Sequence, residues 1–416
     1  MHVQKCQFVR FGLIVAAVVA CTGQLGAAEP DLAAGEPAPD VTSDQSAGIS
    51  LLTRNPLHLS LSADGGYDTN VGTGGQQGHG SAFTDGRGTL AGTFGTERAN
   101  ATIDSSVDVI YYTDNINGPN PEVNTRGGIS GSYSVSRRLL ITGRLSAAYQ
   151  IEPDFSANIG PDQRVGYFFT TDDTLSGSFQ WFNSLSTVTS AGVKIVKYDD
   201  STIGFDQDRN EETLGQQVRW ALARGTLVGE YRFQIVDYDH DIGRNSESHY
   251  TLAGIDYPFN ERANVTLRGG ATFRYFDDGT ERTSPRAEGT LNYLLGRTSM
   301  LTGNVSYGLE EPDSPLFQSR TTFRGGLQFK YWVTRHLLST FAGYYSNSDN
   351  QPASGVVVNG SSKEESYSVS AGLQYSFTSR WGVHAGFDYS GINSDAIGGI
   401  RDYSRERYTG GVVVNF

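Results

Sequence analysis

The stretch Tyr367–Gly391, YSVSAGLQYSFTSRWGVHAGFDYSG, constrains this chain more than any other. Tyr367, Val369, Ala371, Leu373 and Tyr375 alternate with Ser368, Ser370, Gly372 and Gln374. After a turn at Phe377–Arg380 the alternation resumes, with Trp381, Val383, Ala385, Phe387 and Tyr389 on one face. Gly382, His384, Gly386, Asp388 and Ser390 take the other. Successive side chains on a strand point to opposite faces, so this is a β-hairpin with one apolar and one polar wall. The polar wall is small, Gly-rich and in places charged, which suits a water-filled interior. The apolar wall is aromatic near its ends, which suits lipid.

From Leu57 onward, a unit of strand, tight turn, strand and polar loop recurs about every 40 residues. Aromatics stand just before the short connections at Phe94, Tyr133, Trp181, Trp220, Tyr257, Tyr293, Tyr331 and Tyr375, and the chain ends on Phe416. The returning strands finish in a second set: Tyr111, Tyr149, Tyr198, Tyr238, Tyr275, Tyr307, Tyr345 and Tyr389. Two belts roughly 10 tilted residues apart are what the two membrane interfaces select. The fold expected is all-β: a transmembrane, antiparallel, up-and-down β-barrel of about 18 strands, or 16 if the weak segments near 57 and 86 drop out. Both termini lie on the short-turn side, and the longer Gly-, Asn-, Asp- and Pro-rich connections face outward.

The first residues read as an export leader. Lys5 and Arg10 precede the apolar run FGLIVAAVVA, and Gly26 and Ala28 suit cleavage before Glu29, giving a signal peptide over 1–28. That run is too short for a spanning helix, which takes about 20 apolar residues. No other long apolar run occurs, so insertion through helices is excluded. Residues 29–55 carry Pro, Ala, Ser and acids without periodicity and read as a disordered periplasmic lead-in, with the barrel over 56–416. Whether the lead-in plugs the lumen is left open. The two cysteines, Cys6 and Cys21, both lie in the leader, so the mature chain has no thiol chemistry. A competing reading makes Cys21 a lipidated lipoprotein cysteine. Loss of residues 1–28 removes Lys5 and Arg10 and no acid, so the formal charge becomes more negative than −13. Such a chain is no nucleic-acid binder.

Closing so many strands leaves an aqueous channel, and function then rests on what lines it. The alternation puts Arg126, Arg144, Lys194, Arg219, Arg232, Arg268, Arg274, Arg286, Arg324, Lys330, Arg405 and Arg407 on the polar face. Asp104, Asp108, Asp172, Glu230, Glu288 and Asp388 share it. Basic residues outnumber acids in that set. They either favour anions and sugars or pair with carboxylates and stiffen the wall. The loop 152–166, with Asp154, Asp162 and Arg164, is a candidate constriction.

Other motifs carry little. Gly72–Gly80, GTGGQQGHG, lacks the βαβ setting of a phosphate loop. Asp237, Asp239, His240 and Asp241 form a solvated strand end rather than a metal site. His384, Asp388 and Ser390 share a face, but residues two apart on a strand are nearly 7 Å apart, too far for a triad. No catalytic residue, cofactor or metal is expected.

In the final strand Tyr408, Gly410, Val412, Val414 and Phe416 share a face. There the chain resembles outer-membrane barrels, whose last strand ends in Phe. That likeness implies recognition of Tyr408, Val412, Val414 and Phe416 by the barrel-assembly machinery. The repeated YSVSAGLQY–turn–aromatic unit and the opening LSLSADGGYDTNV resemble the putative β-barrel porin 2 family over about 57–416. The resemblance implies a Gram-negative outer-membrane barrel set among lipid and lipopolysaccharide. Passive diffusion of small polar or anionic solutes is the first reading. A polysaccharide-export barrel with a periplasmic partner and a structural or adhesin barrel are the alternatives.

Overall fold

The structure, a computed structural model, describes residues 57–71, 79–96, 98–114, 119–151, 167–199, 207–240, 242–312, 316–353, 363–395 and 402–416. The strands follow in chain order: β1 (Leu57–Asp68), β2 (Ser81–Gly95), β3 (Ala99–Tyr112), β4 (Glu122–Ser134), β5 (Leu139–Gln150) and β6 (Phe168–Phe182). Then come β7 (Leu185–Tyr198), β8 (Arg209–Ala221), β9 (Thr226–Tyr238), β10 (Ser246–Asn260), β11 (Ala263–Phe276) and β12 (Glu281–Leu295). The last are β13 (Ser299–Glu310), β14 (Phe317–Trp332), β15 (Leu337–Pro352), β16 (Lys363–Ser376), β17 (Trp381–Ser394) and β18 (Tyr403–Asn415). Each pairs antiparallel with its neighbours in sequence, and β1 pairs with β18, closing one 18-stranded sheet. Followed through paired residues once around, the ladder returns to β1 about 22 residues further along. That stagger inclines the strands by about 40° and sets a backbone radius of about 18 Å.

The weak segments near 57 and 86 are both strands, so the count is 18 and not 16. β2 begins at Ser81, earlier than the sequence indicates. Its first half, SAFTDGRG, puts the Asp85–Arg87 pair inward and Gly86 and Gly88 outward, so no apolar stripe announces it. The β11–β12 connection, Asp277–Thr280, is as short as the turns at the opposite end.

Four of the short turns share one device, a side-chain oxygen that accepts from backbone N–H groups the ladder leaves over. Ser136 Oγ takes Arg138 N (3.2 Å) and Leu139 N (3.0 Å). Thr334 Oγ1 takes His336 N (3.2 Å) and Leu337 N (3.1 Å). Thr378 Oγ1 takes Arg380 N (3.2 Å) and Trp381 N (3.1 Å). Thr96 Oγ1 repeats the pattern with Arg98 N and Ala99 N, both at 3.3 Å. This is why these four turns carry Ser or Thr at that position.

Alternation divides the wall. Outward stand Leu61, Val107, Leu145, Leu267, Leu327, Val369 and Val412, all exposed in the isolated chain. Aromatics bound this band, with Trp181, Trp220, Phe259, Tyr375 and Trp381 below and Tyr67, Tyr111, Tyr275 and Tyr345 above. Two residues of the expected upper belt face the other way. Tyr198 and Tyr238 fall at inward positions, where Tyr198 packs on Phe168 at 5.7 Å between ring centroids. Tyr238 is 4% exposed. Each sits one residue out of step with its strand's lipid-facing set, so its neighbour, Lys197 or Asp237, faces outward.

The apolar band generates a prediction. Leu327→Arg, at mid-height on the lipid side, should destabilise the barrel by about 2–4 kcal/mol in urea unfolding from lipid vesicles. Thr302→Arg, on the inner face of the neighbouring strand, should cost far less.

Candidate functional site

The register puts Arg126, Arg144, Lys194, Arg219, Arg232, Arg268, Arg274, Arg286, Arg324, Lys330, Arg405, Arg407, Asp104, Asp108 and Asp388 on the inner face. Asp172, Glu230 and Glu288 share it. Asp154, Asp162 and Arg164 lie outside the described residues. The inner wall holds more acid than the sequence reading singled out. Asp64, Asp68, Asp85, Glu211, Asp256 and Glu310 also point inward; Asp64 meets His384 and the other five are paired with arginines.

Between β8 and β14 these groups form a network of ion pairs within and between strands. Glu288 accepts from Arg232 through both oxygens (3.0 and 2.8 Å) and from Arg286 Nε (2.9 Å). Arg232 also reaches Glu230. Asp256 takes Arg219 and Arg268 on separate oxygens, each at 2.6 Å. Glu310 accepts twice from Arg324 Nε (2.9 and 3.0 Å), while Arg324 donates to the Tyr344 hydroxyl (2.9 Å). A guanidinium presents a planar fork of donors, which is why Arg232 can serve Glu230 on its own strand and Glu288 on β12 at once. Charge pairing of this kind holds side chains against the wall instead of letting them fill the lumen.

A second cluster lies where the barrel closes. Asp68, at the end of β1, is fully buried. It accepts from Arg405 Nε (2.8 Å) and Arg407 Nε (3.2 Å) of β18. The Tyr112 hydroxyl donates to Asp68 (3.3 Å) and accepts from Arg405 (3.1 Å) and Arg407 (2.6 Å). Lower on the same seam, His384 Nε2 of β17 lies 2.9 Å from Asp64 Oδ1 of β1, reaching across β18. Gly411 sits between them in register, and a Cβ there would collide with the Asp64 carboxylate. His384 thus answers to Asp64 on another strand rather than to Asp388 and Ser390 beside it.

The outer mouth is narrowed by connections the sequence reading did not single out. Between β9 and β10 a single 3-10 turn, Ile242–Arg244, folds inward and leaves Arg244 1% exposed. Its guanidinium lies 4.0 Å from the Tyr238 ring centroid and donates to the Tyr238 hydroxyl (3.0 Å) and the Pro312 carbonyl (3.3 Å). Tyr238 donates to Glu311 (3.1 Å), which Arg274 meets at 2.7 Å. Gln318 ties the Gly243 carbonyl (3.3 Å) to Asp278 (2.8 Å). Three connections are thereby cross-linked over the β8–β14 side of the lumen. The missed residues, Tyr238, Arg244 and Glu311, sit at strand ends and in loops where alternation gives no direction. The parity of Tyr238 against Phe233 and Tyr231 was the one available signal. At the neighbouring strand end, Asp239 is held by Lys197, which also lies 3.9 Å from Asp208.

A family model described as "Putative beta-barrel porin 2" matches residues 57–416. No curated protein matches the sequence. OccK5 (OpdH) of Pseudomonas aeruginosa is a similar solved structure, at 13% identity and a TM-score of 0.42, with 86% of this chain and 98% of that one covered. OccAB4 of Acinetobacter baumannii is 10% identical over 87% of this chain and 99% of that one, with a TM-score of 0.41. A mutant of the Pseudomonas aeruginosa ferric enterobactin receptor PfeA is 10% identical over 86% and 80%, also at 0.41.

The seam cluster yields a test. Asp68→Asn strips a buried carboxylate from two guanidiniums and should destabilise the folded barrel by about 3–5 kcal/mol, lowering the temperature at which heat-modifiable migration is lost. Tyr112→Phe, which removes one hydroxyl, should cost about 1 kcal/mol in the same assay.

Proposed function

This chain belongs to the Putative beta-barrel porin 2 family, and from that premise we propose that it forms an outer-membrane channel for passive diffusion of small polar and anionic solutes. The observation that carries this reading is a closed barrel of 18 strands whose inner face is lined by charge. A wall of that circumference encloses far more volume than its own side chains occupy. The ion pairs hold arginines and carboxylates flat against the wall, which keeps the lumen polar without filling it. A solute crossing it meets fixed hydrogen-bond donors and acceptors in place of bulk water.

Pairing also bears on selectivity. Glu288, Asp256 and Glu310 each neutralise arginine charge locally. The lumen field is therefore weaker than the arginines alone would give, and the preference for anions is mild. The clamp at Tyr238, Arg244 and Glu311 forms the narrow part of the outer mouth on its side of the barrel. Outer-membrane placement is supported by the family, by lipid-facing strands bounded by aromatics, and by the leader-like 1–28.

In a planar bilayer under a salt gradient, the purified barrel should give stable conductance steps with a reversal potential slightly on the anion side. A folded barrel without steps would refute passive diffusion. Glu288→Gln, which unmasks Arg232 and Arg286, should move the reversal potential further toward anions. Arg244→Ala should enlarge the conductance step, since it removes the group that pins the inward turn to Tyr238 and Pro312.

A further inference from the structure

One sector of the outer wall gathers polar groups at a depth where most outward positions are apolar or small. At mid-height the outward positions of β11–β18 are Leu, Val, Phe, Ala and Gly, as at Leu267, Gly289, Val305, Leu327, Phe341 and Ala385. On β6–β10 the same depth carries Asp173, Thr189, Gln216, Tyr231 and Thr251, with Glu212 slightly higher. Thr189, Glu212, Gln216, Tyr231 and Thr251 are exposed on the outward surface. Thr189 donates to Gln216 Oε1 (2.7 Å), Gln216 Nε2 donates to the Gln217 carbonyl (3.3 Å), the Tyr231 hydroxyl lies 2.7 Å from His249 Nδ1, and Asp173 accepts from the Ser146 backbone N–H (3.1 Å), so the set is partly organised within one chain. Hydrocarbon offers such groups no partner. A carboxylate and an amide facing lipid are a cost the other strands avoid.

We infer that the outward face of β6–β10 is the docking surface for a second copy of this chain, related by a two-fold axis along the membrane normal near β8. Groups that complement one another stand at equal depth on the two halves of this face. On strands inclined about 40°, each paired row climbs about 3 Å from one strand to the next. Tyr231 on β9 and Thr251 on β10 therefore stand at nearly the depth of Asp173 on β6. The axis exchanges β6–β7 of one copy with β9–β10 of the other and leaves depth unchanged. On walls of about 18 Å radius, Asp173 of one copy and the Tyr231 and Thr251 hydroxyls of the other then line the cleft that flanks the β8 contact instead of touching across it. Lys197 on β7 meets Asp237 on β9 at the outer interface by the same exchange. Gln216, on β8, faces its own counterpart, and an amide is both donor and acceptor. An isologous interface requires this self-matching, and the patch holds both halves of each pair.

The test uses the full chain in native membranes. Cys6 and Cys21 both precede residue 29, so the unsubstituted chain is the control for a single introduced cysteine. Gln216→Cys, oxidised with copper phenanthroline, should give a covalent dimer on non-reducing gels. Leu327→Cys, on β14 across the barrel, should not, although a lipid-soluble maleimide labels both thiols. If Gln216→Cys does not fold, as judged by heat-modifiable migration, Val218→Cys on the same face takes its place. Maleimide labelling of either β8 substitution without cross-linking overturns the inference. So does dimer formation equal to that of Leu327→Cys, or a covalent product with a different protein.

Discussion

The structure depends on the pairing of β1 with β18. In hydrocarbon an unpaired strand edge leaves a row of N–H and C=O groups with neither water nor protein to satisfy them, so a sheet can span a membrane only by closing on itself. Here the ladder runs from Ser60–Asn415 to Asp68–Arg407, and the final residue still donates from Phe416 N to Leu59 O (2.8 Å). Closure fixes the parity of every strand, and parity decides which side chains meet lipid and which meet the lumen. It also explains why the most deeply buried ionic group sits at the seam. Asp68, Arg405, Arg407 and Tyr112 come from β1, β18 and β3, and only a closed sheet brings them together. Gly411 belongs to the same constraint, because it leaves the gap through which His384 and Asp64 span the last strand.

On the inner wall, the competing demands are water and charge. A lumen this wide must stay polar to hold water, yet long charged side chains left unpaired would sweep across it. The pairs Arg232–Glu288, Arg268–Asp256 and Arg324–Glu310 resolve this by linking one strand to another. Two of these pairs join the strands of one hairpin and Arg232–Glu288 reaches from β9 to β12, so the same contacts that define the channel surface also resist shear between strands. At the outer mouth the linkage changes character. There, Arg244 stacks on Tyr238, and the connections carry the charge partners instead of the strands.

Most of the fold was legible because alternation is a local signal that repeats. β16 and β17 carry the alternation where the run Tyr367–Gly391 puts it. The inward set was legible for the same reason, since any Arg or Asp in step with Ser and Gly on an apolar-alternating strand has only one side to face. What was not legible depended on contacts between distant strands. Nothing in the run around His384 reveals Asp64, and nothing around Arg405 reveals Asp68, because the register of β18 on β1 is set by closure. Tyr198 and Tyr238 show the other failure. An aromatic at a strand end matches a belt by composition, and only counting parity from the strand's middle places it inside.

The two walls use polar groups under opposite rules, and this makes departures informative. Inside, a polar side chain finds water or a partner wherever it stands, so its presence says little about a specific role. Outside, between the aromatic belts, a polar side chain has only what the protein supplies. Where Leu, Val and Gly fill that zone, lipid is a sufficient neighbour. Where Gln216 and Asp173 stand in it, intrachain contacts satisfy only part of their hydrogen-bonding capacity. The physical chemistry then requires another source of donors and acceptors at that depth, and another protein surface is the one source a bilayer contains.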